Sequence, residues 1–307
     1  MTQIGCIHPV NSASTRKAAF AVAFMLSAAL VLLAFAPSAL AVPKGEYAVF
    51  SDCPLSNPNL TECLYSKTTG GEVKLGSSEA SLRNPTIIQG GTIENEATGE
   101  LTFVGAADGE TLSKTPQPVS GGLANLIPKS SVPAALLPLY EAVFENGLSG
   151  VNATTELAAP ASSIGINTNN LVSGSGVALS LPVKVHLENP FLGSNCYIGS
   201  SSNPIVLNLT TGTTSPPAPN SPITGNSGAA ELREEGRLAV IDGVELVDNA
   251  FAAPEATGCG PLPLSEVVVD PILNAKVGLP SAAGNNTARL KANVEQAFAG
   301  AVRRSEE

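Results

Sequence analysis

The chain has 307 residues, of which 26 are acidic and 16 basic, so its formal net charge at pH 7 is −10. A negative surface repels phosphate backbones and anionic lipid headgroups, which speaks against nucleic acid as a partner. Aromatic residues make up only 4% of the chain, and their scarcity also weighs against base-stacking and sugar-binding surfaces.

The first 41 residues have the pattern of a cleavable secretory signal peptide. Arg16 and Lys17 precede an apolar run at 18–36, and Pro37 and the small-residue site Ala39-Leu40-Ala41 follow it. An uncleaved membrane anchor is the alternative, since an apolar run of this length is just long enough to span a bilayer. The proline and the Ala-x-Ala site favour cleavage. After cleavage no transmembrane segment is expected, because no second apolar stretch approaches the roughly 18 residues of a span.

Four cysteines follow the leader: Cys53, Cys63, Cys196 and Cys259. An even number of cysteines in an exported chain predicts two disulfides. Three connectivities are open, and we favour pairing nearest neighbours in sequence, Cys53 with Cys63 and Cys196 with Cys259. Loop-closure entropy gives these two bonds about 3 and about 4 kcal/mol respectively. A four-cysteine zinc site is the competing interpretation, but the spacing lacks the C-x₂₋₄-C pair typical of such sites.

Most later apolar residues come in short runs bounded by Gly, Pro, Asn, Ser and Thr, a pattern typical of β-strands. In chain order, the predicted strands are Glu46–Asp52, Glu62–Ser66, Glu72–Leu75, Thr86–Gln89, Leu101–Val104, Val151–Leu157, Val177–Leu187, Pro204–Leu209, Arg237–Val247 and Ala288–Glu295. Thr69-Gly70-Gly71 predicts a hairpin-like turn between the second and third strands, and Asp242-Gly243 predicts a bend in the ninth. For Ala288–Glu295 a helix is the alternative. So many short strands predict a mainly β fold, an antiparallel β-sandwich or a jelly-roll-like domain.

A helical insertion at about 118–148 breaks the β pattern. Within it, Ala134–Asn146 is predicted to be a helix that Ser131 caps, with Pro133 near its first turn. The apolar face of this helix would consist of Leu136, Tyr140, Val143 and Phe144, and Gly147-Leu148 indicates its C-terminal stop. We favour a packed insertion. The alternative is a mobile cover over an apolar site.

Two later segments complete the predicted organisation. A short helix is predicted near 271–277, opened by Asp270-Pro271 and closed by Gly278-Leu279. The Pro/Thr/Ser-rich segment Thr210–Gly225 is expected to be extended and solvated. If Cys196 pairs with Cys259, this segment lies inside the disulfide loop, which favours a loop between strands over a linker between domains. We therefore expect residues 42–307 to form a single secreted β-rich domain, outside the cell or associated with its surface.

Several loop and strand motifs carry a resemblance that covers most of residues 42–307. They are CLYSKTTGGEVKLG, ATTELAAPASSI (153–164), LPVKVHLENPFLGSNCYIGS (181–200), LTTGTTSPP (209–217) and AAPEATGCG (252–260). With these motifs the chain resembles a family of uncharacterised secreted actinobacterial proteins. The resemblance implies a Gram-positive source of high GC content and an extracellular or envelope location. The family has no established activity, so the resemblance implies no mechanism and no site residues.

His186 is the only histidine after the leader, so a Ser-His or Cys-His nucleophile system would have to use it. Alternation places His186 on the polar face of its strand with Lys184 and Glu188, and no G-x-S-x-G elbow accompanies it. We therefore name no catalytic residue and keep His186 as a weak candidate.

Carboxylate pairs that could serve glycoside hydrolysis are Glu141/Glu145, Glu234-Glu235 and Asp242/Glu245, with Glu188 as a further acid. In an acidic chain such pairs are expected by chance. One histidine and no spaced Asp-x-Asp run argue against zinc and EF-hand calcium sites, and Asp108-Gly109-Glu110 is better explained as a plain turn than as a weak calcium site. We expect neither a metal nor a cofactor.

Three functions are compatible with this sequence. The first is a secreted, disulfide-stapled protein that binds an unknown extracellular or envelope ligand, or forms part of the envelope, without catalysis. The second is a carrier of an apolar ligand, such as a lipid, with residues 118–148 as its cover. The third, which we rank lowest, is a secreted hydrolase using His186 or paired carboxylates.

Overall fold

The computed structural model describes residues 42–306. The predicted signal peptide and its membrane-anchor alternative concern residues 1–41, which lie outside the described residues. The strands are β1 Glu62–Leu75, β2 Ser78–Ser81, β3 Ile87–Glu94, β4 Leu101–Gly105, β5 Pro116–Pro118, β6 Asn152–Leu157, β7 Gly165–Ile166, β8 Leu179–Glu188, β9 Tyr197–Ile198, β10 Ile205–Leu209, β11 Ala229–Arg233, β12 Leu238–Asp248, β13 Ala256–Thr257 and β14 Thr287–Phe298. The α-helices are α1 Gly122–Leu126, α2 Leu137–Glu145, α3 Thr168–Ser173, α4 Glu266–Val277 and α5 Ala299–Ser305.

The strands form two seven-stranded antiparallel sheets, which confirms the predicted mainly β, sandwich-like fold. In the first sheet the order is β11-β12-β14-β1-β3-β4, with β2 paired to β1. In the second the order is β13-β9-β8-β6-β5, with β7 and β10 also paired to β8. Four strands share β8 as their partner: β7 and β10 pair with its first half, and β6 and β9 pair with its second half.

Side-chain alternation directs one face of each strand into a common core between the sheets. On β8, Leu181, Val183 and Leu187 are buried, and on β10 the buried and exposed residues alternate without exception. These side chains pack in one cluster with Leu246 and Val294 from the first sheet. The predicted strand at 288–295 is confirmed as β14, and the predicted bend at Asp242-Gly243 is a register shift within β12.

The outer face of the first sheet has its own small core. The prediction of a strand at Glu46–Asp52 is wrong, because Gly45–Phe50 is a 3₁₀ helix. The side chains of Tyr47 and Phe50 are three residues apart, so a 3₁₀ helix points both towards the same surface. They pack there with residues of α5.

Both favoured disulfides are present, Cys53–Cys63 and Cys196–Cys259. The first ties the N-terminal segment to β1, and the second joins the residue before β9 to the loop that follows β13. Two disulfides are consistent with a secreted protein, since such bonds persist mainly in oxidising compartments.

The predicted hairpin at Thr69-Gly70-Gly71 is wrong, because β1 runs through these residues as one continuous strand. Its pairing with β14 shifts register between Thr68 and Gly70, which marks a β-bulge. Gly71 has φ +128°, and a Cβ at this position would lie 2.0 Å from the carbonyl oxygen of Arg289. The glycines therefore permit a bulge and a close approach of two strands.

The predicted helix at Ala134–Asn146 is found as the shorter helix α2. Ser131 does not cap it, since a separate 3₁₀ turn covers Lys129–Ser131 and the N-cap is Leu136, which makes no side-chain cap bond. Its C-terminus ends as predicted: Leu148 N–H donates to Val143 O and Gly147 N–H to Phe144 O, the Schellman pattern. The predicted apolar face packs against the core.

The second predicted helix, near 271–277, begins earlier than expected. Helix α4 starts at Glu266, so Pro271 lies inside it and Asp270 is not its cap. The Asp270 carboxylate instead accepts backbone N–H bonds from Gly258 at 3.1 Å and Cys259 at 2.7 Å. Within residues 42–306, none of the helices is both long and apolar enough to cross a bilayer.

Three carboxyl groups make the stability of the fold depend on pH. Burial is the main cause that raises the pKa of Asp248, Asp270 and Glu295 above their ordinary values, although backbone N–H groups partly oppose it for the two aspartates and Arg233 does so for Glu295. An acid with a raised pKa in the folded state binds its proton more tightly there than in the unfolded chain. The free energy of unfolding therefore falls as pH rises from the unfolded towards the folded pKa.

We expect the melting temperature to rise when the pH is lowered from 7 to roughly 4.5. This interval ends just above the ordinary pKa values of aspartate and glutamate side chains. Scanning calorimetry at constant ionic strength measures this. The variant Glu295→Gln should show a smaller rise, whereas Glu141→Gln, at an exposed ion pair, serves as its control. A melting temperature that falls steadily over this interval would contradict the prediction.

Candidate functional site

A small apolar cavity of about 70 Å³ lies between the two sheets. Val73 and Leu75 of β1 line it from the first sheet, and Ala153, Val185 and Leu187 line it from the second. It is roomier than the ~10–15 Å³ that one water requires, yet its walls are mostly apolar, which disfavours water. A group without hydrogen-bonding atoms is therefore its best-matched occupant.

The predicted helical insertion forms part of this cavity wall. Val119 and Leu126 are the insertion residues that line it, and Leu126 is almost fully buried. Helix α2 is packed onto the same core and anchored by Tyr140, whose hydroxyl donates to Ile127 O at 2.7 Å. The insertion is thus a packed wall in this structure. Its proposed movement as a cover stays a prediction.

The cavity is closed on one side by a seam between β2 and β5, edge strands of opposite sheets. Ala80 and Val119 form an isolated antiparallel bridge, and Ser120 N–H donates to Glu79 O at 3.0 Å. The seam consists of a few hydrogen bonds between short strands, a kind of contact that opens locally at a lower cost than a long strand pair.

Gln117 holds the seam together with its carboxamide. Its Oε1 accepts from the backbone N–H groups of Arg83 at 2.9 Å and Asn84 at 3.0 Å, and its Nε2 donates to Asn84 O at 2.7 Å. Gln117 lies opposite Ala153 in the β5–β6 pair, so it faces the cavity, and it is only 3% exposed. One buried side chain therefore ties the second sheet to the segment that follows β2.

Sequence reasoning missed both Gln117 and the cavity. A partial signal was present, because prolines on both sides of Gln117 confine its segment to a sheet edge. The partners of Gln117 lie more than 30 residues away in the chain, and no local pattern predicts them.

His186 lies on the polar outer face of β8 with Lys184 and Glu188, as predicted. Its Nε2 is 3.1 Å from Ser194 O, and its Nδ1 is 3.4 Å from a carboxylate oxygen of Glu188. The ring stacks on Tyr197 with centroids 4.5 Å apart, and Lys184 Nζ lies 4.3 Å from the centre of the same Tyr197 ring.

In the part of the chain that the structure describes, neither ring nitrogen of His186 is hydrogen-bonded to a hydroxyl or a thiol. General-base catalysis needs a hydroxyl or thiol within hydrogen-bond reach of an imidazole nitrogen. Both ring nitrogens of His186 face oxygen acceptors, a backbone carbonyl and a carboxylate, and the four cysteines of the described chain are all in disulfides. His186 is placed as part of a packed polar surface.

The predicted carboxylate candidates are spread over different elements. Glu141 pairs with Lys129 at 2.7 Å, and Glu245 pairs with Arg289 at 3.3 Å. Glu235 pairs with Arg237 at the turn between β11 and β12. Asp108 Oδ1 accepts from Glu110 N–H at 2.8 Å, which is the hydrogen bond of a plain turn. In the part of the chain that the structure describes, no cluster of three or more His, Cys, Asp or Glu is placed to hold a metal ion.

Comparison with known proteins adds no assignment. The chain matches no protein-family model, no curated protein and no solved structure.

Proposed function

We propose that this chain is an exported, non-catalytic binding protein that holds the end of an aliphatic chain between its two sheets. The observation that carries the proposal is the apolar cavity lined by Val73, Leu75, Ala153, Val185 and Leu187. Export is supported by the leader pattern of residues 1–41 and by the two disulfides. The acidic surface makes an anionic membrane an unfavourable docking site, so delivery in solution fits the charge.

The cavity volume limits how much of a ligand the protein can hold between its sheets. Pockets that bury a whole drug-sized ligand measure roughly 300–1,000 Å³, several times the volume found here. A chain terminus of a few carbons fits this volume, and the rest of a longer chain would leave past the β2–β5 seam. An aliphatic ligand corresponds to the second function considered from the sequence, a carrier of an apolar ligand. We prefer this function to that of an envelope protein that binds no small molecule.

Filling the cavity should abolish binding without damaging the fold. Ala153→Leu places added methyl groups into the empty space, so we expect loss of probe uptake together with an unchanged or slightly higher melting temperature. The probe is cis-parinaric acid, whose fluorescence increases in apolar surroundings, titrated into delipidated protein. Ala252→Leu makes the same chemical change at an exposed position and should leave uptake intact.

Two results would overturn the proposal. One is the absence of saturable uptake by the delipidated wild-type protein. The other is equal uptake by the wild type and Ala153→Leu. Native and denaturing mass spectrometry of the protein secreted by its own host gives an independent measurement, since a carried lipid would add a few hundred daltons to the native mass only.

A further inference from the structure

β11 is an uncovered edge of the first sheet. It is the terminal strand in the sheet order, and its only strand partner within residues 42–306 is β12. Four of its five residues are exposed, and Leu232 is 72% exposed. An antiparallel neighbour uses the hydrogen-bonding groups of every second residue, so the remaining N–H and C=O groups of β11 point outwards.

The other strands at the ends of the two sheet orders are protected. β4 is contacted by β7 and by the turn Ala161–Ser163. β5 has prolines at both ends and is joined to β2 by the seam, and β13 is only two residues long and packs beside α4. β11 contains neither proline nor lysine, and its two charged residues, Glu231 and Arg233, are of opposite sign.

The side chains of β11 are complementary to a second copy of the same strand. In an antiparallel self-pair centred on Leu232, the two Leu232 side chains face each other and Glu231 faces Arg233 of the other copy. A pair centred on Glu231 would oppose two carboxylates, and one centred on Arg233 would oppose two guanidinium groups. Opposite charges in directly facing positions stabilise a strand pair, and like charges destabilise it. Within one copy, Arg233 already donates two hydrogen bonds to Glu231, at 3.0 and 2.8 Å. Of these three registers, only the Leu232-centred one also places each of these charges opposite an opposite charge of the other copy.

We propose that β11 docks a second copy of this chain, antiparallel about a two-fold axis at Leu232, so that two seven-stranded sheets become one continuous sheet. The contact uses the same patch on both copies, so it closes at two and does not propagate into a fibre. A strand of five residues buries less surface than the roughly 1,000 Å² of a stable interface, so the dimer is weak and depends on protein concentration.

Charge reversal tests both the partner and the register, with sedimentation velocity from low micromolar to about millimolar protein as the measurement. The wild type should show a reversible monomer–dimer equilibrium. Glu231→Arg places a second guanidinium group opposite Arg233 at two symmetric positions, and we expect it to weaken dimerisation about tenfold or more. The double variant Glu231→Arg/Arg233→Glu exchanges the charges and should restore wild-type dimerisation.

Leu262→Lys serves as the matched control, because Leu262 is another exposed leucine, 53% exposed, outside β11. It should leave the dimer unchanged, whereas Leu232→Lys should remove it. A monomer at every concentration would overturn the proposal, and so would a dimer that Glu231→Arg and Leu232→Lys leave intact. If the double variant dimerises as weakly as Glu231→Arg alone, the proposed register is wrong. All these positions are exposed or partly exposed, so the variants should fold.

Discussion

Replacing Cys196 and Cys259 together by alanine is expected to lower the free energy of unfolding by about 4 kcal/mol. The bond has a sequence separation of 63 residues, and the loop it closes contains β10, the Pro/Thr/Ser-rich connection, β11 and β12. Without the bond, the unfolded chain regains the freedom of this whole loop. Both cysteines are fully buried, so the substitution also removes packing around the two-residue pair β9–β13.

Urea unfolding of the oxidised wild type and the variant measures this loss, provided that each transition is two-state. The matched control is the double alanine variant of Cys53 and Cys63, whose sequence separation is 10 and whose expected loss is about 3 kcal/mol. A larger loss of stability from the Cys53/Cys63 variant would show that chain entropy does not determine which disulfide stabilises the protein more. In that case, the packing of the N-terminal segment on β1 would have to be the main contribution of the Cys53–Cys63 bond.

Removing the Gln117 carboxamide is expected to destabilise the protein by about 2–3 kcal/mol. Gln117→Ala leaves the N–H groups of Arg83 and Asn84 and the carbonyl of Asn84 without their present partner, at the seam that closes the cavity. Since these groups are partly buried, water replaces the carboxamide incompletely. The loss of stability should be concentrated at the seam, which then opens more often.

Two measurements separate this local effect from a general loss of stability. Urea unfolding gives the total loss in free energy of unfolding. Hydrogen exchange, compared between variant and wild type, should accelerate more at the amides of Arg83 and Asn84 than at those of β12. Gln89→Ala is the control, because the one side-chain hydrogen bond of Gln89 in the described residues is long, 3.4 Å to Glu110 O. A Gln117→Ala variant within about 0.5 kcal/mol of the wild type would mean that the carboxamide does not hold the seam.

The seam also connects stability with the proposed binding. If cis-parinaric acid enters between β2 and β5, Gln117→Ala should accelerate both its association and its release, whereas Ala153→Leu should prevent its binding. The two variants therefore distinguish the entrance from the cavity itself.

Sequence reasoning predicted only part of the candidate site. The position of His186 on a polar face followed from the alternation of β8 and was confirmed. The apolar character of the insertion at 118–148 was also visible, and its residues Val119 and Leu126 do line the cavity. The cavity itself was not predictable, because its walls come from β1, β6, β8 and α4, which are far apart in the chain.

Local patterns determined much of this protein. The alternation of β8, β10 and β14 and the Gly147 stop of α2 depend on residues close together in sequence, and the favoured disulfides follow from the order of the cysteines along the chain. Such features survive in many tertiary contexts, so the sequence favoured them correctly, although it left other disulfide connectivities and a helix at 288–295 open.

Only the tertiary structure decided the remaining features. Tyr47 and Phe50 form a 3₁₀ helix because the outer face of β1, β12 and β14 offers an apolar surface to cover. β1 continues through Gly70-Gly71 instead of turning because β14 pairs with both, with Arg289 O in the space that a Cβ on Gly71 would fill. Gln117 holds a seam because β2 and β5 meet at the edge of the sandwich. In each case the deciding contact joins residues distant in the chain, and such contacts outweigh local propensity whenever burial or a hydrogen bond depends on them.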